Sequence, residues 1–259
     1  CLFPSPCPKL RADHRDYLEL LRKLRSLPGV KKVFIRSGIR FDYLLADKKT
    51  PFLEELCAHH VSGQLKIAPE HVSSDVLRVM GKPGREVYER FMEAFRGMNT
   101  RLGKKQYLVP YFISSHPGAE LKDAVELAEF LRDIRFQPEQ VQDFIPAPGS
   151  PATCIYWTGI DPMTGGTVHV PKSREERKMQ RALLQYREPR NRETVIRALE
   201  AAGRSDLIGE GPLCLVRPQH RPEKGKMSAP LLPGGKKPGG RFQKRRSGLG
   251  KKDRCKDQG

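Results

Sequence analysis

The strongest constraint on the fold comes from a segment between Gln64 and Gly84, in which a short apolar run gives way to a helical pattern. The run from Leu65 to Ala68 is stopped by Pro69 and is typical of a buried β-strand. After Ser73 and Ser74, either of which can cap a helix, apolar residues recur at the spacing of one helix face. The segment therefore predicts a strand, a loop and a helix.

The same alternation of strand and helix recurs through the first 150 residues. Further short strands are predicted over residues 31–35, 106–113 and 141–145. Helical spacing predicts helices around residues 17–24, 50–62, 85–102 and 121–134. Strands separated by helices form parallel β/α units with right-handed connections. Four units are too few to close an eight-stranded barrel, so we expect an α/β fold with a partial (β/α) barrel, truncated at its amino-terminal side.

Local signals add detail to this outline. Pro110 lies inside the third strand and removes one ladder hydrogen bond, which indicates a bulge or a sheet edge. Thr50 is expected to cap the helix that follows it. Ser173 and Glu176 form a capping box that opens a later helix, and another helix is predicted from residue 191 to residue 202.

These patterns divide the chain into three parts. Residues 1–155 are expected to form the carboxyl-terminal part of the partial barrel, and residues 156–216 a turn-rich and helical extension packed on it. Residues 217–259 hold 14 lysines and arginines against 3 acids, and about 30% of them are glycine or proline. This composition predicts a disordered basic tail, which could contact RNA or acidic lipid.

Composition restricts the class of protein further. No apolar run approaches the roughly 18 residues of a membrane span, and no signal-peptide pattern is present, so the cytoplasm is the predicted location. The six cysteines include no CxxC pair, which argues against a zinc ribbon or a thioredoxin motif. The net charge of +18 comes mostly from residues 217–259, so overall basicity alone does not indicate a nucleic-acid-binding protein.

A candidate ligand site follows the first strand described above. Glu70 and His71 lie where the chain leaves that strand. In parallel α/β sheets, ligands bind at the carboxyl ends of the strands. We therefore expect Glu70 and His71 to face a binding site, with ordinary packing of a strand–loop–helix unit as the alternative.

Three strand-end motifs resemble those of radical S-adenosylmethionine (SAM) enzymes. LKIAPEHVSSDVLRVMGKP resembles their strand that leads into a QSGSDxxLxxMxR loop and helix. YFISSHPGAELKDAVE resembles their xxIxGFPGETxxDxxE segment, and DFIPAPGSPA resembles their xSPRPGTPA segment. With KKVFIRSGIRFD and YWTGIDPMTG, these motifs resemble the YgiQ-type branch of the family over residues 1–216, and the resemblance does not cover the tail.

The resemblance implies a six-stranded partial barrel and a radical SAM enzyme. The implied cofactors are SAM and a [4Fe–4S] cluster, whose open iron binds the amino and carboxylate groups of SAM. Reductive cleavage of SAM would yield a 5′-deoxyadenosyl radical that abstracts a hydrogen atom from an unknown substrate. A reductant such as flavodoxin or ferredoxin is the implied partner.

The resemblance also implies cofactor-binding positions. Ser37 corresponds to a small polar residue that approaches SAM, and Glu70 to a Gln or Glu near the ribose, where a carboxylate can accept hydrogen bonds. His71 adds a second polar group. The candidates near the adenine follow the later strands and are Ser115, His116, Phe144 and Pro146. Ser115 stands where the family has Gly, and His116 stands where it has an aromatic residue.

The cluster-binding motif of the family, Cys-x3-Cys-x2-Cys, does not occur in this sequence. In the family it lies upstream of the matched motifs, so the chain is expected to be the carboxyl-terminal part of a larger enzyme and inactive by itself. Cys1 and Cys7 are candidate ligands of a second cluster, with a loop carrying two ordinary thiols as the alternative.

Two other functions agree with the sequence. The basic tail and the methylthiotransferase-like motifs favour RNA binding or RNA modification. Binding by the tail alone would fall steeply with salt and disappear when the tail is deleted. A degenerate, non-catalytic barrel module is the other alternative.

Overall fold

The structure, a computed structural model, describes residues 7–218 as a mixed α/β fold. Over these residues the sheet has three parallel strands: β1 (Gln64–Glu70), β2 (Tyr107–Ser114) and β3 (Gln142–Asp143). They lie in the order β1-β2-β3. The predicted α/β class with a parallel sheet is confirmed. Within the described residues the sheet does not close into a barrel.

Helices connect and cover these strands. Those of the described part are α1 (Arg15–Ser26), α2 (Phe41–Ala46), α3 (Phe52–Glu55), α4 (Ser74–Met80), α5 (Arg85–Leu102), α6 (Leu121–Asp133), α7 (Pro151–Thr158), α8 (Arg174–Leu184) and α9 (Arg192–Ala201). A π-helical turn, Leu56–His60, continues α3, and 3-10 turns occur at Pro189–Asn191 and Ser205–Leu207.

One face of the sheet is buried under helices. Leu65 and Ile67 of β1 and Phe112 of β2 lie on this face and are at most 2% exposed. They share one apolar core with Phe91 of α5 and Leu127 of α6. Because side chains alternate across a strand, this burial fixes the register of both strands relative to the helices.

The opposite face of the sheet is open over residues 7–218. Lys66 of β1 and Tyr107 and Tyr111 of β2 are exposed on this face, Tyr107 to 66%. Parallel sheets in α/β proteins are normally covered on both faces. The open face is therefore a surface on which further structure or a ligand is expected to pack.

Pro110 lies beside an irregularity in the sheet. It pairs with Ile67, and the next pair joins Glu70 to Phe112, so β1 advances three residues while β2 advances two. The predicted bulge is confirmed, and the extra residue belongs to β1. On its other side Pro110 has no strand partner within residues 7–218, because β3 pairs only with Ile113 and Ser114, so the sequence signal of an edge also holds at this point. Pro69 does not stop the strand as predicted, since β1 includes Glu70.

Two other predicted strands differ from the structure. Residues 31–35 form no strand, because the backbone N–H of Ile35 donates to the carbonyl of His60 (2.9 Å) in the π-helical turn instead of to a neighbouring strand. The strand predicted over residues 141–145 shrinks to the two residues of β3. Both segments lie beside proline- or glycine-rich loops, whose path depends on tertiary contacts.

The three predicted side-chain caps, at Ser73, Thr50 and Ser173, are absent. The hydroxyl of Ser73 donates to Asp123 (2.6 Å) and does not cap α4. The hydroxyl of Thr50 donates to Asp47 (2.5 Å), and α3 begins without a side-chain cap. Ser173 precedes α8 without capping it, and the carboxylate of Glu176 accepts a hydrogen bond from His169 Nε2 (2.7 Å) instead.

Two short helices, α2 and α7, occupy segments in which the sequence patterns predict no helix. α7 begins after Ser150, whose hydroxyl accepts a hydrogen bond from the backbone N–H of Thr153 (3.3 Å). Pro151 occupies the first helical turn, where its missing N–H has no cost. This pair of signals is present in the sequence and could have identified α7.

The predicted helical extension is present as α8 and α9. Leu183 and Leu184 of α8 and Val195 and Leu199 of α9 are at most 1% exposed and share the core of the sheet. The boundaries at residues 155 and 216 stay predictions. Apart from its first two residues, the predicted disordered tail lies outside the described residues.

α5, with 18 residues, is amphipathic. No helix among residues 7–218 is long and apolar enough to cross a bilayer.

A buried carboxylate joins the segments around the first three helices. Asp47 accepts hydrogen bonds from the backbone N–H and Nδ1 of His14, at 3.0 and 2.8 Å. It also accepts from the backbone N–H groups of Lys49 and Thr50, at 2.9 and 3.2 Å, and from the Thr50 hydroxyl. Burial alone would raise the pKa of Asp47, but the hydrogen bonds from Thr50, His14 and Lys49 outweigh burial and hold this pKa well below its ordinary value.

We expect Asp47→Asn to lower the free energy of unfolding by about 2–3 kcal/mol at neutral pH, because charge-assisted hydrogen bonds are lost. A carboxylate with a depressed pKa stabilises the fold above its unfolded pKa, and this contribution is lost on acidification. The difference from wild type should therefore shrink below about pH 4. Urea unfolding at neutral and acidic pH measures both effects.

The matched control for this experiment is Asp133→Asn. Asp133 has an exposed carboxylate that pairs with Arg132 (2.8 Å), and loss of its charge should cost less than about 0.5 kcal/mol. Equal costs for the two substitutions would contradict the role assigned to Asp47.

Candidate cofactor-binding site

The carboxyl ends of the three strands bring together residues from three separate motifs. Glu70 and His71 lie at the end of β1, and Ser115 and His116 follow β2. Phe144 follows β3, and its backbone N–H donates to the last carbonyl of β2 (2.8 Å). The rings of His116 and Phe144 meet edge to face, with centroids 4.8 Å apart. The predicted site residues of β2 and β3 are therefore in contact.

Two of the predicted site residues have a left-handed backbone. Glu70 has φ 66° and Ser115 has φ 61°, and each lies at the end of its strand. A non-glycine residue in this region costs on the order of 1 kcal/mol, and such residues concentrate at functional sites. A glycine would adopt the conformation of Ser115 without this strain.

His71 is buried, and its neighbours determine which nitrogen carries the proton. Nδ1 accepts a hydrogen bond from the backbone N–H of Ser73 (3.0 Å), so the proton of the neutral ring lies on Nε2. Burial, with a smaller contribution from His116, lowers the pKa of His71 to about 3. His71 is therefore a neutral imidazole that presents an N–H donor at Nε2.

His116 has the opposite proton arrangement. Its Nδ1 donates to the carbonyl of Pro117 (2.7 Å), because a carbonyl oxygen can only accept, and the lone pair therefore lies on Nε2. Burial lowers the pKa of His116, although the bond to Pro117 and the charge of Glu70 oppose this shift. The two imidazoles thus offer complementary groups at Nε2, a donor on His71 and an acceptor on His116.

The start of α6 holds the end of β1 in place. Asp123 accepts a hydrogen bond from the hydroxyl of Ser73 (2.6 Å) and another from the backbone N–H of Glu120 (2.8 Å). Glu120 in turn accepts from the backbone of Asp123, which completes a capping box. Asp123 is a supporting residue that sequence reasoning missed. The capping signal predicts the helix start, but nothing in it indicates a bond to Ser73, 50 residues away.

A second supporting residue holds the end of β2. The backbone N–H of Ser115 donates to Gln180 Oε1 (3.2 Å), and Gln180 Nε2 donates to the carbonyl of Ala119 (2.9 Å). Gln180 lies on α8 and is 1% exposed. It joins the site to the helical extension, and no signal in the sequence distinguishes it from an ordinary surface glutamine.

Glu70 also has a charged partner. Its Oε1 pairs with Lys82 Nζ (3.0 Å), and Lys82 also donates to the carbonyl of Ala68 (3.3 Å). A cavity of about 190 Å³ lies beside this pair. Its walls are formed by Gly38, Ile39, Arg40, Phe41, Asp42, Ala68, Lys82 and Pro83. Ser37 is exposed and immediately precedes this wall. The cavity is smaller than the roughly 300 Å³ of typical ligand pockets, so it would form only part of a site for SAM.

Aromatic residues extend the site away from β3. Phe144 packs against Tyr156 of α7, with ring centroids 5.7 Å apart. Tyr156 contacts the exposed Trp157, and Pro146 is half-buried two residues beyond Phe144. These rings form an apolar border at the carboxyl end of the sheet.

The described cysteines do not assemble a cluster site. Cys57 is buried, and burial raises the pKa of its thiol to about 12, while Cys7 and Cys154 are exposed. No group of three His, Cys, Asp or Glu side chains in residues 7–218 is placed to hold a metal ion. Cys1 lies outside the described residues, so a second cluster at Cys1 and Cys7 stays a prediction.

The backbone strain at Ser115 leads to a testable difference between two substitutions. Ser115→Gly should change the free energy of unfolding by less than about 1 kcal/mol, because relief of the left-handed conformation offsets the greater freedom of the unfolded chain. Ser115→Val should destabilise by about 2 kcal/mol or more, because a β-branched residue is strongly disfavoured at this φ. Urea unfolding of both variants measures the difference, and equal stabilities would contradict the assigned conformation.

Burial of neutral His71 predicts a loss of stability in acid. The unfolded chain takes up this proton near pH 6.5, whereas the folded chain does so only near pH 3. The contribution of neutral His71 to the free energy of unfolding is therefore fully present above pH 6.5. Below this pH it is lost, by up to about 1.4 kcal/mol per pH unit. His71→Gln should flatten this slope in urea unfolding, and His169→Gln, at an exposed ring, should leave it steep. An unchanged slope in His71→Gln would contradict the prediction.

Comparisons with known proteins identify homologues over most of the chain. A UPF0313 protein of Clostridium perfringens (strain 13 / Type A) is 54% identical over 237 residues, which are 92% of this chain and 36% of that protein. A UPF0313 protein of Clostridium botulinum (strain 657 / Type Ba4) is 55% identical over 216 residues, 83% of this chain and 34% of the relative. The chain thus spans about a third of the length of these relatives.

A family profile described as "Domain of unknown function (DUF3362)" matches residues 139–257. The match includes most of the basic tail, which the motif resemblance does not cover, so the tail is part of the matched family sequence. The homologues confirm the YgiQ-type part of the resemblance. Over its aligned segment, this chain is a homologue of the UPF0313 proteins, the YgiQ family.

Proposed function

We propose that this chain supplies the carboxyl-terminal part of a radical SAM partial barrel and that its strand ends bind the adenosyl part of SAM. The whole enzyme would generate a 5′-deoxyadenosyl radical on a substrate that is not yet identified. The strand-end motifs and the parallel β/α units support this proposal. The open face of the sheet, which carries Lys66, Tyr107 and Tyr111, also supports the proposal. Further strands that curve the sheet towards a barrel would enclose that face.

One observation carries the proposal. Residues from three motifs that are distant in sequence meet at a single edge of the sheet, the edge at which α/β proteins bind ligands. Two of these residues, Glu70 and Ser115, have a strained backbone that ordinary packing does not require.

The residues at this edge fit the chemistry of an adenosyl group. Oε1 of Glu70 is paired with Lys82, which leaves Oε2 to accept hydrogen bonds from ribose hydroxyls. Nε2 of His71 and Nε2 of His116 offer one donor and one acceptor to a base. Phe144 would pack against the same base. All of these assignments use groups that the fold already holds in place.

The charges at this edge also suit SAM. SAM carries a positive sulfonium, which a protonated imidazole nearby would repel. Burial keeps both His71 and His116 neutral, and the charge of Lys82 is balanced by that of Glu70, so these four side chains carry no net positive charge. These two imidazoles therefore carry no positive charge that would repel the sulfonium of SAM.

The described residues of this chain do not fit a [4Fe–4S] cluster. Residues 7–218 contain no suitable set of ligands, and the sequence lacks the three-cysteine motif. The proposal therefore assigns the cluster ligands to the part of the longer relatives that does not align with this chain. No step of the chemistry at the cluster is assigned to residues of this chain.

Substitution of Glu70 tests the proposal. A chimera in which this chain replaces the aligned segment of the Clostridium perfringens relative provides a complete protein with the residues numbered here. Glu70→Ala should weaken SAM binding about tenfold or more in calorimetry, because hydrogen bonds to a charged group are lost. Glu200→Ala, at an exposed position of α9, is the matched control and should bind SAM as the unsubstituted chimera does.

Two results would contradict the proposal. One is unchanged SAM affinity in Glu70→Ala. The other is failure of both the relative and a cooperatively melting chimera to bind SAM.

A further inference from the structure

A second cavity lies at the other end of the sheet from the candidate site. It has a volume of about 700 Å³, within the range of small-molecule pockets. The first residues of β2, the length of α5 after its first turn and the turn that follows α6 form its walls. None of the predicted cofactor-binding residues lines this cavity.

The cavity lies beside the part of β2 with which β3 does not pair. β3 pairs only with Ile113 and Ser114, so in the described part of the chain the first half of β2 has no strand beside it on that side. The gap is lined by apolar and aromatic side chains. They are Tyr88, Met92, Phe95, Leu108, Pro110, Ile134 and Phe136, with the exposed Tyr107 also in the wall. Such walls suit a flat apolar group.

The walls of the cavity also carry four positive charges. Arg96, Lys104, Lys105 and Arg135 line it, and within residues 7–218 no acidic side chain forms an ion pair with any of them. The one acid in the walls, Asp133, is already paired with Arg132 (2.8 Å). Like charges in a concave, weakly polar surface focus the electrostatic potential and attract anions.

Arg135 occupies a position that favours glycine. The backbone N–H groups of Arg135 and Phe136 donate to the carbonyls of Arg132 and Leu131, both at 3.0 Å, which is a Schellman ending of α6. Arg135 has φ 55°, whereas α4 and α5 end at Gly81 and Gly103 with φ 64° and 61°. An arginine at this position makes the fold less stable than a glycine would, so stability does not explain why arginine is present.

We propose that this cavity binds a phosphorylated small molecule with a flat apolar body, of the nucleotide class. The aromatic wall would take the base, and the four cations would bind the phosphates. Arg135 would donate to phosphate oxygens in the two-pronged manner that suits a guanidinium. SAM carries a positive sulfonium and no phosphate, so this site is distinct from the proposed SAM site and does not depend on it.

The test measures binding of ATP, tripolyphosphate and adenosine to the full 259-residue chain by calorimetry. ATP should bind at least about tenfold more tightly than either of the other two probes, because it alone combines a base with phosphates. The double substitution Lys104→Ala and Lys105→Ala should weaken ATP binding at least about tenfold. Lys178→Ala, at an exposed cation of α8 outside the cavity, controls for general charge and should leave binding unchanged.

Arg135→Gly separates binding from folding. It should raise the melting temperature, because glycine favours the left-handed conformation, and should weaken ATP binding about fivefold or more. A purely structural arginine would leave ATP binding unchanged in this variant, and that result would overturn the proposal. Equal affinity for tripolyphosphate and ATP, with equal weakening in Lys178→Ala, would show general attraction to a basic chain and would also overturn it.

Discussion

The parallel pairing of β1 and β2, with one extra residue in β1 after Ile67, is the constraint on which the candidate site depends. Burial of Leu65, Ile67 and Phe112 against α5 and α6 fixes the register of the two strands. The bulge then places Glu70 opposite Phe112. With both strands ending in a left-handed residue, the chain leaves the sheet sharply at two adjacent points. The packing of β1 and β2 against the helices therefore fixes the backbone geometry of the site at the carboxyl ends of the two strands.

Buried polar links carry this geometry into the surrounding helices. His71 is held through Ser73 to Asp123, and Asp123 belongs to the capping box that starts α6. Gln180 of α8 holds Ser115 in a similar way. Each link satisfies polar groups that would be costly to bury alone. Since both imidazoles stay neutral, the site offers a donor and an acceptor without a positive charge, which is the property that the proposed SAM site uses.

The parts of the fold that could be predicted are those specified locally. α5 has the predicted bounds, because Gly84 and Gly103 flank a strongly amphipathic run, and β1 and β2 lie within two residues of their predicted ends. The predictions fail where a hydrogen-bond partner outside the predicted element competes. Ile35 bonds to the π-helical turn and Glu176 to His169, and neither partner can be read from spacing.

The candidate site likewise contains residues that the sequence identifies and residues that only the structure identifies. Strand-end position identifies Glu70 and His71 from the sequence, and the resemblance identifies His116 and Phe144, whose rings the structure places in contact. Asp123 and Gln180 escape prediction because their bonds span 50 and 65 residues. The proton arrangement of the two imidazoles also needs the structure, since it is set by backbone groups at hydrogen-bond distance.

The most direct test of the central claim is anaerobic reconstitution with iron and sulfide of the Clostridium perfringens relative and of the chimera that carries this chain. The account predicts visible absorption from a thiolate-bound cluster that bleaches on reduction, followed by formation of 5′-deoxyadenosine from SAM in both proteins. Folded proteins that form no cluster, or that form one and leave SAM intact under reducing conditions, would contradict it.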